Sequence, residues 1–385
     1  MSSLRIAYLV HNLHDPAVLR RVRMLQIGGA TVEIAGFRRS DTPARPIGGV
    51  TPVDLGRTRD GGFPQRIAAI GLAGLRRDAV TEMVARADVV IARSLELMLY
   101  AAAQIRRSGK RPPLVYECLD IHRFLVTRSP AGTALRAVET ALARRASLLI
   151  TSSPGFIRNY FSERAGLRDL PVLLLENQVL VDSDTPAPPP PPSVPVGPPW
   201  RIGWFGALRD RKGFDILARL VQRLPGTVEV VMRGMPSEAV FPDGLAAETL
   251  PPGIRYLGRY TYPDDLPAIY ADVHFTWAVD YFEEGLNSSW LLPNRLYEGG
   301  LNQSVPIALK GLETGRMLAA LDTGIILSGD VESALADVFT GMTAERYAAL
   351  KAKAAAVSRA RFVTTPADCR ALVDRLGEVK ARARR

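Results

Sequence analysis

The chain has 385 residues, 47% hydrophobic and 23% charged, with a formal net charge of +10. That balance is ordinary for a globular protein, and the length suggests two or three domains, with each half long enough to bury its own core. The positive charge is spread along the chain and has two readings: attraction to an anion (a nucleotide diphosphate, a lipid pyrophosphate or an acidic membrane surface) or a solvated arginine-rich exterior.

The first apolar run, Ile6–Val10, is too short and too near the start for a signal peptide. Arg5–Val10 reads as a strand. Pro16–Gly28 reads as a helix with Asp15 as N-cap and Pro16 at its first position. Thr31–Phe37, Asp88–Ala92, Pro113–Glu117, Leu148–Ser152 and Pro171–Glu176 follow as short apolar strands, with helical patterns between several of them. Strands of this kind spaced by helices predict a parallel sheet buried on both faces. A proline-rich stretch then interrupts the pattern: Pro186, the run Pro188–Pro192, Pro195, Pro198 and Pro199. Lacking amide donors, it cannot join a sheet or helix and is expected to be an extended connector.

The alternation restarts at Trp200–Phe205, with a helix near Phe214–Arg223 and strands at Thr227–Met232, Ile254–Leu257, Val273–Trp277, Val305–Leu309 and Gly324–Ile326. Helices fit Leu266–Ala271, Pro293–Gly299 and Leu312–Leu321, and Ala344–Ala360 and Pro366–Ala383 look helical throughout. The expected fold class is α/β, with two Rossmann-like doubly wound domains facing a cleft. Their bounds are 1–182 and 200–385, the second including the C-terminal helices, with a linker at 183–199.

Cys118 and Cys369 make neither a disulfide framework nor a metal-ligand spacing, which fits a reducing compartment. No stretch approaches the roughly 20 apolar residues that span a bilayer. The expected location is the cytoplasm, soluble or peripheral at the inner face of the cytoplasmic membrane. Ile67, Ile70, Leu72 and Leu75, flanked by Arg66, Arg76 and Arg77, could touch an anionic leaflet or simply pack as a core helix. No basic helix, zinc site or interleaved aromatic–basic motif indicates nucleic acid.

Two segments of the second half carry chemistry. In Phe205-Gly206-Ala207-Leu208-Arg209-Asp210-Arg211-Lys212-Gly213 a strand ends in a glycine turn, basic residues follow, and a helix begins. Glycine lets backbone approach a phosphate, and Arg209, Arg211, Lys212 and the helix N-terminus can hold a diphosphate. The plainer reading is a tight turn with exposed basic residues. In the second segment a helix carries Asn294, Arg295 and Glu298, then a small-residue turn leads to the strand at Val305. Asn294 and Glu298 share a helix face, and a carboxylate there could accept both hydroxyl protons of a ribose. The alternative is an amphipathic helix with a solvated Arg–Glu pair.

Together these segments resemble the C-terminal domain of the GT-B glycosyltransferases, most of all the bacterial exopolysaccharide enzymes of the succinoglycan-assembly type. Phe205-Gly206-Ala207-Leu208 with Lys212-Gly213 is similar to that family's glycine–basic loop. Tyr297-Glu298-Gly299-Gly300 with Val305-Pro306-Ile307-Ala308 is similar to its acidic residue and following strand. The resemblance implies an N-terminal acceptor domain and a C-terminal donor domain. It implies a nucleoside-diphosphate sugar, UDP-linked, as substrate, and Glu298 on the ribose. It implies a lipid-linked sugar acceptor in exopolysaccharide biosynthesis. Retaining members carry two glutamates eight positions apart. Eight before Glu298 stands Trp290, and the nearest upstream acids are Glu283 and Glu284, so inversion is the expected course. Asn287, Ser288 and Ser289 are donor-sugar candidates by position.

In the first half, Glu117, Asp120 and His122 lie just past a strand end, where ligand chemistry sits in open α/β sheets. An inverting transfer needs a base for the acceptor hydroxyl. By resemblance Asp120 is the candidate, with Glu117 and His122 behind it; otherwise Asp120 caps the next helix. His11, Asn12, His14 and Asp15 in the first turn could bind an acceptor sugar or be an ordinary polar turn. No metal site is expected: Asp182-Ser183-Asp184 has DxD letters but abuts the proline stretch. No cofactor is expected beside the substrate, and basic residues would stabilise the leaving diphosphate. Two rivals remain: an epimerase or hydrolase of the same architecture, and a non-catalytic subunit that binds a nucleotide sugar.

Overall fold

The computed structural model describes residues 3–58, 78–164, 166–181 and 194–383. The proposed membrane element at 63–77, the run Pro188–Pro192 and Asp182-Ser183-Asp184 lie outside them. The chain forms two compact units: Met1–Glu176 with Leu180–Ser183 and Thr364–Arg385, and Asn177–Val179 with Asp184–Val363.

The first unit is built on a seven-stranded sheet. Its strands are β1 (Arg5–Val10), β2 (Thr31–Arg38), β3 (Val53–Arg57), β4 (Val89–Arg93), β5 (Leu114–Cys118), β6 (Ala146–Thr151) and β7 (Val172–Leu174). They pair in parallel in the order β3-β2-β1-β4-β5-β6-β7. Ile6 of β1 faces Val32 of β2 on one side and Val89 of β4 on the other. The predicted strands recur nearly residue for residue; β3, whose sequence VDLGR has only two apolar residues, was not legible. The helix Pro16–Ile27 starts as expected, with the Asp15 carboxylate accepting from the Ala17 amide, a cap worth about 0.5–2 kcal/mol.

The C-terminal helix Pro366–Ala383 corrects the domain assignment, because it belongs to the first unit. Cys369, Leu372, Val373, Leu376 and Val379 are buried in the same core as Ile6, Val22, Leu25 and Val89. Gly28 ends the helix Pro16–Ile27 against it, and any Cβ there would stand 2.3 Å from the Cys369 carbonyl oxygen. The amphipathic pattern was readable; which sheet it covers is a tertiary matter.

After a two-residue strand, β8 (Val179–Leu180), the second unit forms a six-stranded parallel sheet. Its strands are β9 (Trp200–Leu208), β10 (Val228–Pro236), β11 (Ile254–Tyr256), β12 (Phe275–Trp277), β13 (Val305–Leu309) and β14 (Ile325–Leu327). The order is β11-β10-β9-β12-β13-β14. Its core gathers Trp200, Trp204, Trp277, Phe275 and Val230 with Leu335 and Phe339 of the helix Val331–Thr340, which the sequence reading did not pick out. In each unit the first strand lies between strands that continue in opposite directions across the sheet. This makes a switch point, and ligands of such sheets bind just outside the carboxyl ends of the strands there.

Candidate active site

At the switch point of the second sheet β9 ends in Leu208 and β12 in Trp277. Gly206 has φ +107 and pairs with Gly234 of β10; a Cβ on Gly234 would stand 1.9 Å from the Gly206 carbonyl oxygen. Both backbones therefore need glycine. The next helix, Arg211–Arg223, is capped by Asp210, whose carboxylate accepts from the Gly213 amide (2.9 Å) and also from the Tyr281 amide (2.9 Å). Burial pushes the Asp210 carboxyl up, the two amides oppose this, and the charge of Asp280 adds to the rise.

The three basic residues of this loop each meet a carboxylate. Arg209 lies 3.6 Å from Asp280, Arg211 2.9 Å from Asp215, and Lys212 2.7 Å from Glu284. Arg209 also lies over the Phe282 ring at 4.2 Å, and Lys212 over Tyr281 at 4.4 Å. Arg209 is 36% exposed, Lys212 52% and Arg211 65%. The segment Asp280–Glu284 thus faces the basic loop across 71–72 residues of sequence. Asp210, Asp280 and these aromatics were missed because no local spacing links them to the glycine turn.

The helix Asn294–Leu301 shows a split role. Arg295 is buried; its Nε donates to the Trp277 carbonyl (2.7 Å) and its Nη2 to the Val279 carbonyl (2.6 Å). Arg295, placed by the sequence in the donor-site segment with a solvated Arg–Glu pair as the alternative, is instead an internal clamp on the end of β12. Glu298 is 3% exposed, and the Tyr270 hydroxyl donates to it at 3.2 Å. Tyr270 packs edge-on against Phe205, and the Tyr260 hydroxyl lies 3.9 Å from where a Cβ on Gly206 would be, which brings Glu298 close to the glycine turn. Burial pushes Tyr260 and Tyr270 well up, with the Glu298 charge adding to it. Asn294 is exposed at the first turn, so the expected shared face holds only in part. Ser288 donates to the Glu283 carbonyl (3.1 Å) and Ser289 to that of Leu286 (3.4 Å); both sit in the turn Ser288–Trp290, and Asn287 is buried.

In the first unit Glu117 is wholly buried. It accepts from the Tyr8 hydroxyl and from Arg21 Nε (2.6 Å), with Arg93 at 3.9 Å. Burial alone would raise its carboxyl; Arg21, Arg93 and the Tyr8 hydrogen bond outweigh that and hold it below the ordinary range. Glu117 is therefore an internal counter-ion, which corrects its reading as a base for an acceptor hydroxyl. Asp15, besides capping its helix, pairs with Arg93 at 3.1 Å. Burial opposes its ionisation, and Arg93 and His11 prevail and lower it.

Asp120 is exposed in the turn after β5. That turn is tied to the end of β6 by Thr151, donating to the Cys118 carbonyl (2.8 Å), and Ser152, donating to that of Leu119 (3.0 Å). The capping role considered for Asp120 falls to His122, whose Nδ1 accepts from the Phe124 amide. Asn12 accepts from the His14 amide (3.2 Å), and His14 reaches Ser40 and the Pro43 carbonyl at 3.4 Å each. Among the described residues no three His, Cys, Asp or Glu side chains are grouped to hold a metal ion, and no helix is long and apolar enough to cross a membrane.

Likeness to solved structures of glycosyltransferases shows that the fold is of the GT-B class. HepE from Anabaena, solved with UDP and glucose, matches at a TM-score of 0.66 and 16% identity, covering 98% of this chain and 100% of that one. The lipopolysaccharide outer core galactosyltransferase WaaB matches at 0.61 and 14% identity, covering 99% and 100%. Sucrose-phosphate synthase from Thermosynechococcus elongatus matches at 0.61 and 14%, covering 99% and 97%. No family model matches the sequence. The succinoglycan biosynthesis protein ExoL of Rhizobium meliloti (strain 1021) is 45% identical over 386 residues, covering 99% of this chain and 95% of the relative, and the chain belongs to the ExoL family.

Proposed function

We propose that this chain transfers a sugar from a UDP-linked donor to a lipid-linked oligosaccharide during assembly of a succinoglycan-type exopolysaccharide. The observation that carries this reading is a buried glutamate, Glu298, beside a glycine turn whose strand runs straight into Arg209 and a capped helix N-terminus. A buried carboxylate suits paired ribose hydroxyls, and a cationic loop at a helix start suits a diphosphate. The family relative is a succinoglycan biosynthesis protein, and HepE, which shares the fold, is solved with UDP-glucose.

In this reading the acceptor hydroxyl oxygen attacks the anomeric carbon and its proton passes to the Asp120 carboxylate. The bond from that carbon to the diphosphate oxygen breaks, and UDP leaves with the bonding pair. The configuration inverts. Arg209, Lys212 and the N-terminus of the helix Arg211–Arg223 offset the charge that develops on the leaving group, without a metal. The basic exterior suits an anionic membrane surface carrying the acceptor.

Melting the protein against a panel of nucleoside diphosphates tests the donor site, because a ligand of the folded state raises the melting temperature. UDP is expected to shift it, and Glu298→Ala to weaken UDP binding about 10–100-fold. Asp120→Asn is expected to abolish transfer and leave UDP affinity unchanged. No shift with any nucleoside diphosphate rejects the reading. Consumption of the donor that does not depend on an acceptor supports the hydrolase or epimerase instead.

A further inference from the structure

We infer that Asp280 is a positioning residue: its carboxylate, held between Arg295 and Arg209, sets the Arg209 guanidinium for the donor diphosphate. The inference rests on the donor-site reading above and goes beyond it, because Asp280 touches no substrate in this scheme.

The two guanidiniums differ in freedom. Arg295 is fixed by the Trp277 and Val279 carbonyls. Asp280 is fixed as well: it is 8% exposed, its Oδ1 accepts from the Phe282 amide at 2.9 Å, and its Oδ2 stands 3.7 Å from Arg295 Nη2. The same Oδ2 stands 3.6 Å from Arg209 Nη2, on a side chain that is 36% exposed. Arg209 therefore has one rigid charged partner and one aromatic face, Phe282, to orient it. Its Nε is buried and meets no acceptor among the described residues. A long arginine left alone samples many rotamers. A carboxylate at one end of the guanidinium removes most of that freedom before any ligand arrives, and preorganisation of this kind raises affinity without a new ligand contact.

The arrangement also spans the site. Arg295 lies three residues before Glu298 on one helix, and Arg209 follows the glycine turn at the end of β9. Asp280 joins the two and so fixes the spacing between the carboxylate read as the ribose contact and the guanidinium read as the diphosphate contact.

Charge alone and positioning predict opposite signs. Removing a carboxylate beside a phosphate site should, by charge alone, tighten UDP binding. If Asp280 positions Arg209, its loss should weaken it. The experiment is a double-mutant cycle on UDP affinity by calorimetry, with wild type, Asp280→Asn, Arg209→Ala and the pair, each checked for its melting temperature. Asp280→Asn keeps the shape and the Phe282 contact; Asp280→Ser, smaller than the native residue, serves as second variant and should behave alike. The expected result is UDP binding weakened about tenfold by Asp280→Asn, and no further loss when that change is added to Arg209→Ala. Unchanged or tighter binding in Asp280→Asn overturns the inference. So does a loss of the same size in the Arg209→Ala background, which would mark a purely structural role. If Arg209→Ala binds UDP as wild type does, the donor reading fails at Arg209 whatever Asp280 does.

Discussion

The carboxyl edges of the two sheets hold the same residue types in different states. At the first, Glu117, Tyr8, Arg21 and Arg93 form a closed, buried network, with Asp15 half-buried at its edge and each charge met at close range. At the second, Arg209 and Lys212 are half exposed, lie over aromatic rings, and share their charge with carboxylates of a neighbouring loop. A closed network is architecture, because breaking it strands a charge in low dielectric. An open one can exchange partners at modest cost, as a ligand site requires.

The largest expected effect breaks the closed side. Glu117→Ala leaves Arg21 buried without its counter-ion and should cost about 3–5 kcal/mol of stability in denaturant unfolding, while UDP affinity of the folded protein stays as it was. Loss of UDP affinity at unchanged stability would collapse the distinction between the edges.

A smaller effect separates the units by pH. His274, buried in the second unit, accepts from the Arg201 amide through Nδ1 (3.0 Å) and therefore donates through Nε2 to the Pro195 carbonyl (3.1 Å). Burial holds its pKa below the ordinary 6.5. The folded state resists protonation, so stability is full above pH 6.5 and falls as the pH drops below it. Glu117, lowered from 4.5, stays ionised across that window. Melting curves between pH 7 and pH 5 (about two units spanning the ordinary histidine range) should fall for wild type and flatten in His274→Asn. A slope that survives the substitution assigns the loss to another group.

The smallest effect sharpens the open side. Glu284→Gln frees Lys212 from an exposed pair, so stability should change by less than about 1 kcal/mol. UDP binding at low salt should tighten about two- to threefold, since the substitution removes a competing carboxylate. Weaker binding would mean that Glu284 helps to hold the donor.

The sequence showed the strands of both sheets because each is a short apolar run between helices, and it showed Asp15 as a cap because capping is local. It singled out Gly206 and Glu298 as site candidates through their flanking segments. It could not show that Arg295 turns inward to the end of β12, or that Glu117 meets Arg21 across 96 residues, because both depend on pairings remote in the chain. Of residues 280–284 only the acids Glu283 and Glu284 stood out in the sequence; that the segment faces the basic loop is visible only once β9 and β12 lie side by side.

The placement of the helix Pro366–Ala383 has a consequence for biosynthesis. The second unit is nearly contiguous in the chain, and all of it leaves the ribosome before the helix that completes the core of the first. The N-terminal half is translated first yet must wait, with the apolar surface around Leu25 and Val22 uncovered, until the helix Pro366–Ala383 has been made. A premature stop near codon 364 would leave a complete second unit tethered to an unfinished first one, and the nascent chain is most exposed to proteases and chaperones in that interval.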